Sequence, residues 1–291
     1  MRFVVLIACM VASAAGAHAV ESIAAPAIEW WLLLLLYLSI ALYAVGLRAL
    51  WQSAGRGRGA TAAQALAFLA GWLAMALSLL PPLDPLGAEL FSAHMLQHEF
   101  LMLVAAPLII LGRPLGIWVW AFAPSWRPGI GHVIRRPWVA RSWGALTDPL
   151  SAWMLHAAAI WLWHVPRFFT AALKYEGVHI LQHLSFLLTA LLFWWSLLRR
   201  PRQGNPMTIV YLLTTMIHTG ALGAFLIFSK IVWYPIYGGS AAAWKMSALE
   251  DQQLGGLIMW IPGGLIYVVA AIVLLSRWLI DASVDAKEVP A

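Results

Sequence analysis

The sequence predicts an all-α membrane protein: a polytopic helix bundle of seven transmembrane helices after a cleavable signal peptide, with the N-terminus outside and the C-terminus cytoplasmic. Three observations carry this expectation. Hydrophobic residues make up 63% of the 291 and charged residues only 10%, with a mean hydropathy of +0.82, far from the balance of a water-soluble domain. Apolar runs recur at the length a helix needs to cross the hydrocarbon, ~20 residues, whereas barrel strands would be far shorter. Basic residues crowd into alternate loops. Backbone polar groups in lipid must be satisfied within the segment, so each long apolar run is a helix.

The chain opens with Arg2, an apolar stretch from Phe3 to Gly16, and Ala17-His18-Ala19. A charged start, a short apolar core and small residues at the cleavage point are the marks of a secretory signal peptide, here residues 1–19. Leu6-Ile7-Ala8-Cys9 resembles a lipoprotein cleavage box, but the apolar stretch before Cys9 is too short for a normal one. An uncleaved anchor would leave the topology that follows unchanged.

Seven spans follow, at 28–50, 63–80, 90–112, 149–167, 177–198, 207–229 and 253–276, and they make residues 20–291 one domain. Arg48, Arg56, Arg58, Arg113, Arg127, Arg135, Arg136, Arg141, Arg199, Arg200, Arg202, Arg277 and Lys287 fall on one side of this arrangement. Arg167, Lys174, Lys230 and Lys245 fall on the other. Thirteen against four sets the first side as cytoplasmic, with 113–142 as its largest loop. The net charge of +6 then reflects membrane orientation rather than a nucleic-acid partner. Trp30, Trp31, Trp194, Trp195 and Trp278 near span ends fit an aromatic belt at the interfaces.

Histidines can be ranked by depth on this frame. HMLQH at 94–98 and HILQH at 179–183 each open a span that enters from outside, so His94, His98, His179 and His183 lie within its first two or three turns. The fourth span runs outward, which puts His164 at a similar level and His156 two turns deeper, and His218 is near the middle of the sixth. His132 is in the large cytoplasmic loop and His18 in the signal peptide. Residues i and i+4 are about 40° apart around a helix, so each pair presents two imidazoles on one face, as metal ligation requires. A single buried histidine is often a packing residue. Ionisable groups inside a membrane are costly and usually mark a site. Two pairs with His156, His164 and His218 in one leaflet therefore point to a shared site.

The only cysteine is Cys9, so the mature chain has no thiolate, which excludes zinc-finger, iron–sulfur and CxxxC copper-relay chemistry. Imidazole remains, with thioethers from Met95, Met102, Met154, Met216 and Met259. That set suits copper among the first-row metals, although gap-filling explains most buried methionines. Haem stays open, because histidines on facing helices can supply both axial ligands. Two on one helix face cannot clamp one haem, but they can share a small ion. Asp251, at the outer start of the last span, could hold a histidine tautomer, bind the ion, or cap its own helix. The small residues after it permit close helix approach, and Pro262 bends the helix.

FSAHMLQH at 91–98 is followed by Ala105-Ala106-Pro107 and Gly112-Arg113-Pro114, and then by Trp161-Leu162-Trp163-His164-Val165-Pro166. With HILQH and the stretch DQQLGGLIMW from Asp251, these motifs resemble the CtaG-type cytochrome c oxidase assembly family over about residues 30 to 280. Their order and placement in the spans make the resemblance more specific than any one HxxxH. It is not the single-span copper chaperone family, with a cysteine-bearing soluble domain, that shares the name. The resemblance implies a bacterial inner-membrane protein that supports copper insertion at the CuB centre of oxidase subunit I, with the histidines above as its metal site.

CuB also lies within the membrane towards the outer side, so a histidine layer at that depth could pass copper laterally. No Walker motif or G-x-S-x-G turn occurs, and an assembly factor is expected rather than an enzyme. A copper transporter would need ligands in the inner halves of the spans, which are almost purely apolar. A haem-binding or haem-inserting protein would use His98, His183 or His218 as axial ligands.

Overall fold

The computed structural model describes residues 30–199 and 206–288, with side chains for 30–199 and 207–280. The expected signal peptide, with Cys9 and His18, and Arg200 and Arg202 lie outside the described residues. What is described is helical throughout, with no strand. The helices are α1 (Trp30–Ala54), α2 (Ala62–Leu79), α3 (Leu83–Glu89), α4 (Phe91–Glu99), α5 (Ala106–Leu111), α6 (Pro114–Trp120), α7 (Arg127–Ile134) and α8 (Pro137–Leu146). Then come α9 (Pro149–His164), α10 (Pro166–Lys174), α11 (Glu176–Leu198), α12 (Pro206–Phe228), α13 (Gly238–Ala243), α14 (Ala248–Ile258) and α15 (Gly264–Glu288). Two π-helical segments join helices end to end, Phe100–Ala105 between α4 and α5 and Met259–Gly263 between α14 and α15.

Six helical stretches are long and apolar enough to cross a membrane: Trp30–Ala54, Ala62–Glu89, Phe91–Leu111, Glu176–Leu198, Met207–Phe228 and Ala248–Ile280. The expected fourth span is instead α9, 16 residues long, which stops where Val165 is extended and Pro166 starts a new helix. A residue before proline is pushed out of the helical region, so the WHVP sequence sets this break. Sequence capping defines other starts: Thr61 with Gln64 and Ser247 with Glu250 form capping boxes, each satisfying two end groups that no helix can satisfy internally.

Side-chain pairings fix the relative directions of the helices. His98 meets His183 at 5.2 Å between ring centroids, and further along Trp194 Nε1–H donates to the Met102 carbonyl at 2.9 Å, so α4–α5 and α11 run parallel. On α9 the order reverses, because Trp163 Nε1–H donates to Ser185 Oγ at 2.7 Å while His156 lies on Thr189 and Phe193. Between these two parallel helices the chain therefore returns along α9. Glycines let neighbouring backbones close: a side chain on Gly71 would sit 2.7 Å from the Ile109 amide, and one on Gly223 equally close to the Gly256 carbonyl.

The core runs through the centre of the bundle and includes Phe91, Met95, Met102, Phe186, Phe193, Trp194, Leu226 and Met259. A smaller cluster joins α1, α2 and α6 around the stacked rings of Tyr43 and Phe68, 3.6 Å apart. Leu33, Leu34, Leu38, Leu66, Leu73, Ile272 and Leu279 stand exposed on the perimeter. An apolar outer surface of this extent needs a hydrocarbon surround.

Candidate metal centre

Helix α4 is started by a residue far away in sequence. Asp251 is fully buried, and its carboxylate accepts the Phe91 and Ser92 backbone N–H groups at 2.7 and 3.0 Å and the Ser92 hydroxyl at 2.5 Å. A carboxylate at a helix N-terminus satisfies the end donors and complements the helix dipole. Of its three expected roles, Asp251 takes a form of the last: it caps a neighbouring helix, not its own, and reaches no histidine. Gln97 anchors the same motif, donating to the Ser78 carbonyl at 2.6 Å and to Asp84 at 3.0 Å. The middle polar residue of HMLQH is thus a strut that sets the two histidines beside it.

The two HxxxH motifs converge. His94, His179 and His183 each offer a nitrogen, and these nitrogens lie within 4.8 Å of one another. His98 closes the group, with its ring 4.3 Å from that of His94. The Nε2 atoms of His94, His179 and His183 and both ring nitrogens of His98 are buried without a hydrogen-bond partner. His94 Nδ1 lies 3.3 Å from the Gly87 carbonyl, which fixes the proton there and leaves its Nε2 with a lone pair. Tyr237 donates to the same carbonyl at 3.0 Å, and Tyr234 donates to the carbonyl of His164 at 2.7 Å. Burial pushes both phenols up from their ordinary range, Tyr237 helped by Asp251 and Tyr234, so both remain donors. Four imidazoles with unsatisfied nitrogens in one buried nest cost free energy unless something fills the gap. A small cation accepted by neutral imidazoles is the chemistry that relieves it.

His164 stands beside this nest, its Nε2 3.4 Å from Met95 Sδ. His156 and His218 do not join it. His156 is held by Thr189 and stacked on Phe193, and His218 accepts the Trp161 indole N–H at 3.3 Å, so its proton is on Nε2 and that nitrogen has no free lone pair. Among the methionines named above, Met95 meets a histidine nitrogen. Met102 and Met259 are packed in the apolar core, and Met154 is 54% exposed on the outside of the bundle.

Glu99 is a residue that the sequence reading missed. It follows HMLQH directly, its Oε2 is buried and unpartnered, and it faces Gly263 in the π-helical segment of the last span. The signal was available, since it is the one acid between Phe91 and Leu111. On the opposite side of His179 and His183, a cavity of about 800 Å³ opens between α1, α2 and α11, walled by Leu36, Phe68, Trp72, Leu184 and Leu187.

The sequence model of the cytochrome c oxidase caa3 assembly factor family matches residues 41–281. Uncharacterised proteins of Mycobacterium bovis and Mycobacterium tuberculosis are each 26% identical over 254 residues, covering 81% of this chain and 36% of their own length. One of Mycobacterium leprae is 22% identical over 223 residues, 73% of this chain and 34% of its own. The chain therefore spans about a third of the length of these curated relatives. No solved structure matches it.

Proposed function

Since the chain belongs to the cytochrome c oxidase caa3 assembly factor family, we propose that it carries copper as cargo, through the nest of HMLQH and HILQH, towards the CuB centre of a haem-copper oxidase. The observation that carries this reading is the convergence of the His94, His179 and His183 nitrogens within 4.8 Å. Neutral imidazoles with a thioether nearby are a soft set that suits copper, and ligand exchange between imidazoles moves the ion without releasing it. The chain acts as a carrier, not a catalyst, and oxidase subunit I is its client.

A bacterial inner membrane and seven spans complete this reading, and the helix directions support the span count. Two parallel helices, α4–α5 and α11, need one crossing between them, and α9 is the helix that runs back. Arg113 and Arg199 follow these helices at the end away from the histidines. By the excess of positive charge that end is cytoplasmic, which puts the nest in the outer half of the bilayer.

Metal analysis and an absorption spectrum of the purified protein test the assignment. Copper near one equivalent, lost in His183→Ala at normal abundance, is the expected result, and copper equally bound by both proteins would overturn it. Deletion should lower haem-copper oxidase activity and CuB occupancy while copper-independent quinol oxidases keep working. One observation favours a second reading, haem: the cavity of about 800 Å³ is lined by His179 and His183 together with Phe68 and Trp72, space and chemistry that a macrocycle could use. A Soret band in the same sample would select it.

A further inference from the structure

The two helices that carry HMLQH and HILQH end on a pair of cations, Arg113 and Arg199, roughly 20 Å along the helices from the histidines. Arg113 has a left-handed backbone with φ 57°, a conformation that L side chains disfavour. Its neighbours hold it there. The Gly112 carbonyl accepts the Tyr43 hydroxyl at 2.8 Å, any side chain on Gly112 would collide with Phe68, and Pro114 starts α6. The turn leaves Arg113 exposed. Such retained strain points to a task for the side chain.

Arg199 stacks on Trp195, its guanidinium carbon 5.5 Å from the ring centroid, and Trp143 of α8 meets Trp195 edge-on at 5.2 Å. The Arg199 Nε is buried with no hydrogen-bond partner. Arg113 and Arg199 follow α5 and α11, which pack on each other and run the same way, and burial and then the charge of Arg113 push the Arg199 guanidinium below its ordinary range. The sequence offers little local compensation: no acidic residue occurs between Glu99 and Asp148 or between Glu176 and Glu250. Beside Arg199, α8 has no buried residue and exposes Trp138 and Trp143 with Arg141, and the preceding α7 is likewise without a buried residue. Short helices of this composition lie in the headgroup plane.

We propose that Arg113 and Arg199 hold the phosphodiester of an anionic membrane lipid, with its acyl chains against the exposed Trp138 and Trp143 of α8. Guanidinium forks match phosphate oxygens bidentately through their terminal nitrogens, and a bound anion offsets the repulsion of the two charges. This site is independent of the histidine nest and of its cargo.

Thermal unfolding of the purified full chain is followed in detergent with added phosphatidylglycerol, with phosphatidylcholine, or with inorganic phosphate. Phosphatidylglycerol should raise the midpoint in a saturable way, with little effect from the other two. Arg113→Gly and Arg199→Gln should each weaken that response about tenfold, the loss of a charge-assisted hydrogen bond, while Arg56→Gln responds as wild type. Without lipid, Arg113→Gly should unfold no lower than wild type, because glycine relieves the left-handed backbone; this keeps the test open if Arg199→Gln fails to fold. An equal response to inorganic phosphate, or a full phosphatidylglycerol response in Arg113→Gly, would overturn the proposal.

Discussion

His164 Nε2 lies 3.4 Å from Met95 Sδ while His164 Nδ1, 2.7 Å from the Ile160 carbonyl, must carry the ring proton. Neither the sulfur nor the unprotonated nitrogen has a hydrogen to give, so two lone pairs face each other in a buried place. A soft cation between or beside them turns that repulsion into coordination. Met95→Leu keeps the volume and removes the sulfur, and it should weaken Cu(I) retention about tenfold in competition with a coloured Cu(I) chelator, a loss of the size seen when a supporting contact is removed. Wild-type retention in Met95→Leu would mean that the thioether only fills space.

The separation of the seven histidines into a nest of four, His164 beside it and two outliers predicts a split mutational pattern. His94→Ala, His179→Ala and His183→Ala should each lower bound copper and oxidase activity, and the double change His179→Ala/His183→Ala should be little worse than its stronger single, as ligands act as a unit. His156→Ala and His218→Ala should keep copper, as should His132→Ala in the arginine-rich loop. Copper loss in His218→Ala at normal abundance would return it to the site.

Part of this arrangement is visible in the residues alone. The i, i+4 spacing and the position of each pair at the start of an apolar run fix both the helix face and the depth, so the convergence of HMLQH and HILQH could be anticipated. Depth is a count along the chain, but azimuth depends on which neighbour a helix meets. His156 and His218 share the outer half with the nest but lie deeper, and they point to Thr189 and Trp161 instead. Asp251 escaped because its partners, Phe91 and Ser92, are 160 and 159 residues away, and nothing local distinguishes capping another helix from capping its own. The shortness of α9 was written in Val165-Pro166, but hydropathy averages across a single proline.

Asp251→Ala should destabilise the bundle by roughly 2–4 kcal/mol, because it removes three charged acceptor contacts and orphans two buried N–H groups. Asp251→Asn, which keeps one acceptor oxygen, should lose roughly half of that. Unfolding in detergent measures both, and the folded fraction should bind copper normally, since Asp251 contacts no histidine. A stable Asp251→Ala protein without copper would make the carboxylate a ligand after all.

The last prediction concerns α9, on which the topology turns. Its 16 residues rise about 24 Å, less than the ~30 Å of hydrocarbon, so it can cross only if α10 continues the path or the bilayer thins around it. Reporter fusions after residues 58, 140 and 203 should behave as cytoplasmic, and those after 86, 174 and 240 as periplasmic. The pair at 140 and 174 decides, because it brackets α9 and its continuation α10 and no other candidate span. Opposite sides are expected, since α4–α5 and α11 run parallel with their histidines at one level. If both fusions report the same side, α9 does not cross, and HMLQH and HILQH would have to start from opposite faces of the membrane; their rings could then not meet at 5.2 Å, and the copper site would fall with the topology.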